Sequence, residues 1–350
     1  MTVKNTDEKC AWLTNHLESL LTHVWYPSTV ATLSRNTKQI IKEFMVNTGA
    51  DLAGLDFKLH DFGFRGVSSA ESSEIGGLGH LVNFLGTDTV PAMILAEEYY
   101  NADLNTLAFS VPASEHSVMT SLGKDGEIKM VKRMLEQYPT GIVSIVSDSY
   151  DIFNCAENIF GEELKGLVLQ RDGVTVVRPD SGDPRTTVMR LLEILGDKFG
   201  YDTNEAGYKL LNPKVRLIWG DGIDLNGIID ILITMEDEGW CADNIVFGMG
   251  GGLLQRVNRD TQRFAFKCCF QKRDGEWYDI YKDPIDKSKS SKRGHLALRR
   301  IEGAHGSSYE TLENQMPDVQ VEGDVLETVF LNGELVKEYT FDEVRANAQV

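Results

Sequence analysis

Apolar residues recur at helical spacing near the start of the chain and in short, separate runs further along it. Leu13, Leu17 and Leu20 lie on one face of a predicted helix that Pro27 ends. A second apolar face predicts another helix before Gly49. The chain therefore opens with a predicted helical segment.

Beyond residue 54, short apolar runs alternate with longer segments that carry helix signals. The runs predicted as strands are Phe57–Leu59, Leu81–Leu85, Leu107–Val111, Ile142–Val146, Val174–Val177, Val215–Trp219 and Asn244–Phe247. The segments predicted as helices between them include Ser117–Gln137, Asp151–Phe160, Thr186–Leu195 and Asn226–Glu238. This alternation is typical of a parallel α/β protein.

Polar, charged and glycine residues follow each of the predicted strands. Active sites of β/α barrels form at the carboxyl ends of the strands. An open, doubly wound sheet binds its ligand only at a switch point. Because all the strand ends carry the same kinds of residue, we predict an α/β fold with an irregular TIM-like β/α barrel and its site on that rim.

The pattern becomes β-like again towards the C-terminus. The runs predicted as strands there are Arg263–Phe270, Glu276–Tyr281 and His295–Arg300. The segment Glu327–Tyr339 alternates around Asn332-Gly333, which predicts a hairpin. We therefore predict an N-terminal helical segment over 1–52, the barrel over 53–258 and a smaller β-rich region over 259–350 that packs on the barrel.

The balance of charges excludes one class of partner. The 350 residues include 35 Lys and Arg against 53 Asp and Glu, for a formal net charge of −18. A surface this acidic repels a phosphate backbone, so we expect no nucleic-acid binding. A phosphorylated ligand must instead meet a local positive site.

The cysteines and the hydropathy indicate a cytoplasmic protein. Five cysteines without a C-x-x-C pair suggest neither a disulfide framework nor a zinc site, and we expect buried, reduced thiols. No signal peptide opens the chain and no apolar run approaches the length that spans a membrane. We therefore expect no membrane partner.

A glycine-rich run lies between the last predicted strand and a helix predicted near Leu253. It reads Gly248-Met249-Gly250-Gly251-Gly252. Glycines let the backbone approach a phosphate closely, and a helix N-terminus presents N–H groups to it. A tight turn alone needs fewer glycines, so this run predicts a phosphate site.

Two further strand ends carry carboxylates. They read Arg178-Pro179-Asp180-Ser181-Gly182 and Gly220-Asp221-Gly222. Such carboxylates can accept hydrogen bonds from ribose hydroxyls or hold Mg²⁺ through water, and an arginine can bind phosphate or stack on a planar ring. The alternative is that they form ordinary turns that close the rim, and the residues alone leave both interpretations open.

Three other candidates are ambiguous when taken singly. His116 follows an acid on a rim segment and can act as acid, base or phosphate acceptor, or be a structural histidine. Phe62 and Asp88 suit a flat ligand with an amide donor, although a phenylalanine at a strand end is commonly core. The basic stretch from Lys282 to Arg300 is either an anion-collecting loop or a solvated one.

Taken together and in order, these motifs resemble the nicotinamide phosphoribosyltransferase family of type II phosphoribosyltransferases. The matching segments are His60-Asp61-Phe62-Gly63-Phe64-Arg65-Gly66, Gly86-Thr87-Asp88-Thr89, Ser110-Val111-Pro112-Ala113, Glu115-His116-Ser117, Ser147-Asp148-Ser149-Tyr150-Asp151, Arg178-Pro179-Asp180-Ser181-Gly182, Gly220-Asp221-Gly222 and the glycine-rich run. The resemblance runs from about Thr2 to Phe341-Asp342-Glu343.

The resemblance implies transfer of a phosphoribosyl group from 5-phosphoribosyl-1-pyrophosphate to nicotinamide in NAD salvage, giving nicotinamide mononucleotide and pyrophosphate. It implies that Phe62 stacks on the pyridine ring, that Asp88 and Ser144 hold the carboxamide, and that Arg178 lies beside ring and phosphates. The other substrate-binding positions that it implies are Arg65, Gly220, Gly250, Gly251, Arg259 and Lys267.

The resemblance also implies catalytic positions, cofactors and partners. The catalytic positions are His116, Asp148, Asp180 and Asp221. Asp180 and Asp221 face the ribose and Mg²⁺, directly or through water, and ATP is a coupled co-substrate that phosphorylates His116. Members are homodimers with shared sites, so Arg259 and Lys267 reach the pyrophosphate from the partner subunit.

Two departures from the family pattern stand beside these expectations. Members carry an N-terminal segment before the position of Thr2, with a tyrosine for the other face of the ring and a phosphate-contacting arginine. Ala265 replaces a polar residue near the pyrophosphate. The alternative function is therefore a truncated, catalytically impaired ligand-binding subunit.

A second alternative is a nicotinate phosphoribosyltransferase on the same fold. Asp88 separates the two substrates, because a carboxylate repels nicotinate and attracts a carboxamide. The sequence therefore favours nicotinamide.

Overall fold

Helices and strands alternate along most of the chain in the computed structural model, which describes residues 1–303, 306–317 and 319–349. The helices are α1 Leu13–Leu21, α2 Trp25–Asn47, α3 Ala70–Leu81, α4 Pro91–Tyr100, α5 Leu104–Leu107, α6 His116–Met119, α7 Glu127–Gln137, α8 Ile152–Asn154, α9 Lys165–Gln170, α10 Pro184–Phe199, α11 Leu225–Asp237, α12 Gly251–Leu254 and α13 Phe341–Asn347. The strands are β1 Leu59–Asp61, β2 Gly86–Thr87, β3 Thr140–Val146, β4 Asp172–Arg178, β5 Tyr201–Thr203, β6 Lys209–Leu211, β7 Val215–Trp219, β8 Ile245–Met249, β9 Phe270–Arg273, β10 Glu276–Asp279, β11 His295–Gly303, β12 Gly306–Gln315, β13 Phe330–Leu331 and β14 Glu334–Leu335.

The chain divides into two compact units. One unit comprises Tyr26–Asn258 and Thr340–Val350, and the other comprises Met1–Trp25 and Arg259–Tyr339. The predicted region 1–52 is thus shared between the two units, with the division next to the start of α2. Ala304, His305, Asp318 and Val350, which fall in the predicted β-rich region, lie outside the described residues.

The larger unit is built on a six-stranded parallel sheet with the order β2-β1-β8-β7-β4-β3. Its longest strands, β3 and β4, pair over seven residues from Thr140↔Asp172 to Val146↔Arg178. β-branched residues such as Val143, Ile145 and Val177 are buried on these strands, as is typical of a parallel sheet covered by helices. The predicted mixed α/β fold with a parallel sheet is confirmed.

A short irregular segment links the two edge strands of this sheet. Phe109 forms a parallel bridge to Gly86 of β2, and its N–H donates to Leu85 O at 2.7 Å. Ala113 bridges Ser144 of β3, whose N–H donates to Pro112 O at 2.9 Å. The predicted strand Leu107–Val111 is wrong as a regular strand, because Leu107 ends α5 and only single residues bridge.

Predictions of the elements between residues 184 and 238 are accurate, and those of the elements before residue 90 are displaced. β7 coincides with its predicted strand, and α10 and α11 contain their predicted helices to within one residue. Leu81–Leu85 is not a strand, since Leu81 ends α3 and the strand follows at Gly86. Short apolar runs do not distinguish a helix end from a strand.

Two predicted helices are interrupted. The segment Ser117–Gln137 contains α6 and α7 with a turn at Gly123 between them, where φ is +69°. The segment Asp151–Phe160 begins as α8 and continues as a π-helix, Cys155–Glu163. A hydrophobic pattern records which face is buried and not such local changes of winding.

Pro27 does not end a helix. α1 ends at Leu21, a 3₁₀ turn follows, and Pro27 lies in the first turn of α2. The first turn of a helix tolerates proline because its N–H groups have no intrahelical acceptor. The predicted stop at Pro27 is therefore a start.

In its described residues, the smaller unit contains α1 and three antiparallel strand pairs. They pair β9 with β10, β11 with β12, and β13 with β14. The hairpin at Asn332-Gly333 is confirmed, and both residues have positive φ, as a two-residue type I′ turn requires. The predicted strand Arg263–Phe270 is wrong over most of its length, since β9 begins at Phe270.

The thiols and the helices bear on two further expectations. Cys155 and Cys241 are buried, but Cys268 is exposed, so the expectation of buried thiols holds only in part. Within the ranges that the structure describes, no helix is both long and apolar enough to cross a bilayer.

Candidate active site

Three strand-end loops of the larger unit repeat the pattern Asp-x-x-Asp. They follow β3, β4 and β7 and contain the pairs Asp148/Asp151, Asp180/Asp183 and Asp221/Asp224. The second aspartate of each pair caps the next helix by accepting backbone N–H groups, from Phe153 and Asn154, from Thr186 and from Gly227. The first aspartate of each pair caps none of the described helices, and its carboxylate lies at the rim of the sheet.

The first of these aspartates holds the rim histidine. Asp148 Oδ1 lies 2.9 Å from His116 Nε2, and Asp148 Oδ2 accepts a hydrogen bond from the Ser181 hydroxyl. The Asp148 side chain is 6% exposed and that of His116 is 46% exposed. A buried carboxylate therefore orients an accessible imidazole.

The second aspartate lies between that histidine and an arginine. Asp180 Oδ2 lies 4.0 Å from His116 Nδ1. Its Oδ1 accepts from Arg178 Nη2 at 2.9 Å and from Nε at 3.3 Å. His116, Asp148, Asp180 and Arg178, predicted from separate motifs, thus form one contiguous cluster.

Arg178 in turn faces an aromatic ring. Its guanidinium carbon lies 5.5 Å from the centre of the Phe62 ring. A Cβ at Gly248 would collide with this ring, and one at Gly220 would lie 3.1 Å from it. The two glycines make room for Phe62 at the ends of β7 and β8.

The glycine-rich turn packs closely against its neighbours. A Cβ at Gly252 would lie 2.6 Å from Ile223 O, and one at Gly250 would lie 3.2 Å from Phe62 O. α12 begins at Gly251, so its first N–H groups have no intrahelical acceptor. Tight packing thus explains part of the glycine content, and the N–H groups are the part available to an anion.

Asp88 lies beside Phe62 at the neighbouring strand end. Its backbone N–H donates to Asp61 O at 2.9 Å, which fixes the two strand ends side by side. Its Oδ1 accepts a hydrogen bond from the Ser110 hydroxyl at 2.5 Å. Ser144 is buried on β3, where its backbone bonds to Pro112 and Ser114.

The electrostatics of the rim are dominated by acids. Burial and the nearby charges of Asp180 and Asp148 raise the pKa of Asp221 above its ordinary value, partly offset by Arg178. Burial lowers the pKa of His60, partly offset by Asp88. Across the described part of the chain, no three His, Cys, Asp or Glu side chains group closely enough to ligate a metal ion together.

A buried carboxylate lies directly behind the phenylalanine. Asp61 Oδ1 accepts from Gly63 N–H at 2.7 Å, and no described group hydrogen-bonds its Oδ2. Burial raises the pKa of Asp61 to about 6. Asp61 holds the turn that carries Phe62 and Arg65.

The predicted cationic residues are exposed or pair with acids near them. Arg65 is exposed in a 3₁₀ turn, Phe64–Gly66. Arg259 pairs with the adjacent Asp260 at 2.8 Å, and Lys267 lies 3.8 Å from Glu18. Both belong to the smaller unit.

Much of the basic stretch 282–300 is neutralised locally. Lys287 pairs with Asp283, Lys289 with Asp286, and Arg299 with Glu310. These pairs favour the solvated loop over the anion-collecting one.

Ser110 and Ser181 belong to the site's hydrogen-bond network, which the sequence alone does not predict. Their hydroxyls donate to Asp88 and Asp148, which are predicted site residues. Position gives a signal for Ser181, which follows a predicted strand as the predicted acids do, whereas Ser110 lies within the predicted strand Leu107–Val111. Serine is too common in turns for that signal to be specific.

The sequence of this chain is similar to those of proteins in one enzyme family. Residues 57–334 match the nicotinate phosphoribosyltransferase (NAPRTase) family. A nicotinamide phosphoribosyltransferase of Xanthomonas campestris is 46% identical over 99% of this chain and 75% of its own length. Those of Acinetobacter baylyi and Mycoplasma pneumoniae are each 35% identical, over 99% and 85% of this chain and 72% and 67% of their own lengths. The chain therefore belongs to the nicotinate phosphoribosyltransferase (NAPRTase) family, among its nicotinamide phosphoribosyltransferases.

Proposed function

We propose that this chain transfers the phosphoribosyl group of 5-phosphoribosyl-1-pyrophosphate to nicotinamide in NAD salvage, as a cytoplasmic enzyme. The observation that carries the proposal is that Phe62 and Asp88 follow the paired strands β1 and β2, where the Asp88 N–H donates to Asp61 O and the Asp88 carboxylate accepts from Ser110. An aromatic face next to a carboxylate suits a flat ring that bears an amide. The names of the relatives support the same reaction.

The pyridine ring stacks on Phe62 in this proposal. Gly248 and Gly220 make room for the Phe62 ring, and the Arg178 guanidinium lies over it at 5.5 Å from the ring centre. A stacked ring is held in line for attack on the sugar, which reduces the entropy lost on reaching the transition state.

The carboxylate of Asp88 binds the carboxamide in this proposal. The carboxamide N–H groups donate to Asp88, whose second partner is Ser110, and Ser144 on β3 bridges Ala113 of the segment that follows Ser110. Nicotinate brings a carboxylate to the same place and would leave two like charges in contact. The alternative function of nicotinate phosphoribosyl transfer is therefore disfavoured.

The donor lies across the glycine-rich ends of β7 and β8. The 5-phosphate meets the backbone at Gly220, Gly250 and Gly251, with Arg65 beside it. The ribose faces Asp180 and Asp221, whose carboxylates can accept hydrogen bonds from its hydroxyls.

The reaction needs no covalent nucleophile on the protein. The pyridine nitrogen of nicotinamide attacks the anomeric carbon as the bond from that carbon to the pyrophosphate oxygen breaks. Both electrons of the broken bond leave with pyrophosphate. The carboxylates of Asp180 and Asp221 stabilise the oxocarbenium-like sugar, and cationic groups stabilise the leaving group. No proton is transferred in this step.

Magnesium fits the crowding of carboxylates at this rim. Burial and then the charges of Asp180 and Asp148 raise the pKa of Asp221, with Arg178 offsetting part of the effect, and a divalent cation would relieve the repulsion between these charges. Since three protein ligands do not converge among the described residues, Asp180 and Asp221 would hold Mg²⁺ through water. Bound there, the ion would neutralise charge on the pyrophosphate.

His116 is proposed to take up the γ-phosphoryl group of ATP. With its Nε2–H donated to Asp148, Nδ1 keeps its lone pair and can attack the phosphorus while ADP leaves. The exposure of the ring supports access by a nucleotide.

The larger assembly is proposed from the family resemblance. The sheet closes into an irregular TIM-like barrel through residues 109–113, supported by the bridges at Phe109 and Ala113. Two chains form a homodimer in which Arg259 and Lys267 of one subunit reach the pyrophosphate bound by the other. Their exposed side chains are compatible with that role.

The substrate assignment is tested by Asp88→Asn. We expect the ratio of kcat/KM for nicotinamide over nicotinate to fall by about a hundredfold, because the like-charge penalty disappears as the amide contact weakens. The ratio is measured with both substrates in parallel for the wild type and the variant. Ser110→Ala is the control, since it removes a neighbour of Asp88 and keeps the charge. An unchanged ratio in Asp88→Asn would remove Asp88 from amide recognition.

A further inference from the structure

The C-terminal helix α13 packs within the larger unit against the segments that lead to Asp88 and Ser110, here called the amide-binding pair. Phe341 is 2% exposed, in a cluster with Leu78, Leu81 and Leu107 among others. Thr340 and Glu343 form a reciprocal capping box at the start of the helix. A helix of seven residues is marginal alone, so packing and capping fix its position.

One side chain of this helix holds the ends of two others. Arg345 Nε donates to Leu81 O at 2.8 Å, and its Nη2 donates to Leu107 O at 2.5 Å. Leu81 ends α3 and Leu107 ends α5. The last carbonyls of a helix lack intrahelical donors, and a guanidinium supplies two donors in a rigid fork.

Both of these ends lead directly into the amide-binding pair. From Leu81 the chain runs through Leu85 into β2 and Asp88, and from Leu107 it runs through Phe109 to Ser110. The two segments are joined by Phe109 N–H donating to Leu85 O at 2.7 Å and by Thr87 N–H donating to Phe109 O at 3.1 Å. The Ser110 hydroxyl then donates to Asp88 at 2.5 Å.

We propose that Arg345 is a positioning residue for nicotinamide binding, which fixes the separation of Asp88 and Ser110 by holding the carbonyls of Leu81 and Leu107. This role rests on the proposed function, because it assigns to Arg345 the geometry of the amide contact. Arg345 lies outside residues 57–334, which match the family, and is distant in sequence from both segments that it joins.

The kinetic test replaces Arg345 by Gln and by Lys. Arg345→Gln raises KM for nicotinamide about tenfold, because a shift of Asp88 from Ser110 weakens the amide contact by about the worth of one hydrogen bond, and it changes kcat less than about twofold. KM for 5-phosphoribosyl-1-pyrophosphate stays at the wild-type value. In Arg345→Lys the KM for nicotinamide lies between those of the wild type and Arg345→Gln, because an ammonium can still reach one carbonyl.

Arg216→Gln is the matched control for a general loss of stability. Arg216 likewise donates to backbone carbonyls, those of Leu211, Asn212 and Val215, but at the start of β7, away from the strand ends of the site. We expect it to lower the melting temperature without changing KM for nicotinamide. A rise in that KM equal to the one in Arg345→Gln would overturn the positioning role.

Hydrogen exchange separates this inference from the proposed function. The amides of Thr87 and Phe109 exchange about tenfold faster in Arg345→Gln, while those of β7 keep their rates. Unchanged exchange at Thr87 and Phe109 would refute the positioning role whatever the chain catalyses. Faster exchange in a chain that makes no nicotinamide mononucleotide would retain the structural coupling and reject the reaction.

Discussion

At the scale of single residues, the carboxyl group of Asp61, next to Phe62 in the chain, is buried and has a raised pKa. Asp61 is fully buried, one of its oxygens accepts from Gly63 N–H, and the other has no partner among the described groups. An ion in such a place loses hydration without full compensation, which is why burial raises its pKa to about 6. The hydrogen bond that Asp61 accepts from Gly63 N–H stabilises the turn that contains Phe62.

The raised pKa of Asp61 predicts that the free energy of unfolding depends on pH. Its pKa is about 6 when folded, against 3.8 for the free side chain, so the cost of ionisation is present above pH 6 and is relieved as the pH falls towards 4. Relative to the wild type, Asp61→Asn should therefore gain about 2 kcal/mol of unfolding free energy between pH 4 and pH 7.5. Urea unfolding at several pH values measures the difference.

The exposed Asp202 supplies a control for the loss of one negative charge. Asp202→Asn should show no comparable change relative to the wild type over this pH range. Parallel pH profiles for Asp61→Asn and the wild type would contradict the raised pKa of Asp61.

His116 carries a second prediction at this scale. His116→Ala should abolish the stimulation of product formation by ATP and leave slow basal transfer, because the transfer step itself uses no histidine. Rates with and without ATP measure this, together with release of ADP. ATP stimulation that survives the substitution would exclude His116 as the phosphate acceptor.

At the scale of elements, the repeated Asp-x-x-Asp loops divide function between two positions. In each loop the first aspartate faces the rim cluster and the second caps the following helix. A capping carboxylate fixes where the helix begins and therefore where the preceding turn places its partner. Binding and stability thus reside in neighbouring residues of one loop.

This division makes the loop after β7 a matched pair for mutation. Asp224→Ala removes the cap on α11 and should cost about 1 kcal/mol of unfolding free energy with kcat nearly unchanged. Asp221→Ala should leave stability unchanged or raised, because the pKa of that carboxyl is raised in the fold, and should lower kcat/KM at least about tenfold. Thermal unfolding and steady-state kinetics on both variants test the division, which equal losses of activity would contradict.

The elements α10, β7 and α11 could be predicted from sequence because the two helices carry their own boundary signals. Asp183 with Pro184 marks the start of α10, and Asp224 marks that of α11. The segment 107–113 carries no such signal, since it is held by single bridges to strands that are distant in sequence. The predicted rim residues converge on one cluster, whereas Ser110 and Arg345 gain their importance only from contacts made in three dimensions.

At the scale of the whole molecule, the predicted residues divide between two units. The acids, Phe62 and the glycine-rich turn belong to the larger unit, and Arg259 and Lys267 belong to the smaller one. If both cations serve the site of a partner subunit, no single chain holds a complete site. Activity then depends on assembly.

Complementation between two inactive variants tests this sharing. Asp221→Ala and Arg259→Ala homodimers each carry one defect in every site, whereas a mixed dimer has one site with both defects and one with neither. Random mixing should restore about a quarter of the wild-type activity. Mixtures that stay at the level of the separate variants would show that each site is built within one chain.

The most direct measurement is product formation by the purified chain. It is given nicotinamide, 5-phosphoribosyl-1-pyrophosphate, Mg²⁺ and ATP, with nicotinate in a parallel reaction. The proposed site predicts nicotinamide mononucleotide and pyrophosphate in equal amounts, and little product from nicotinate. Nicotinate as the preferred substrate would contradict the role of Asp88, and no turnover of either substrate with retained binding of the mononucleotide would mean that this chain binds the ligand without transferring the group.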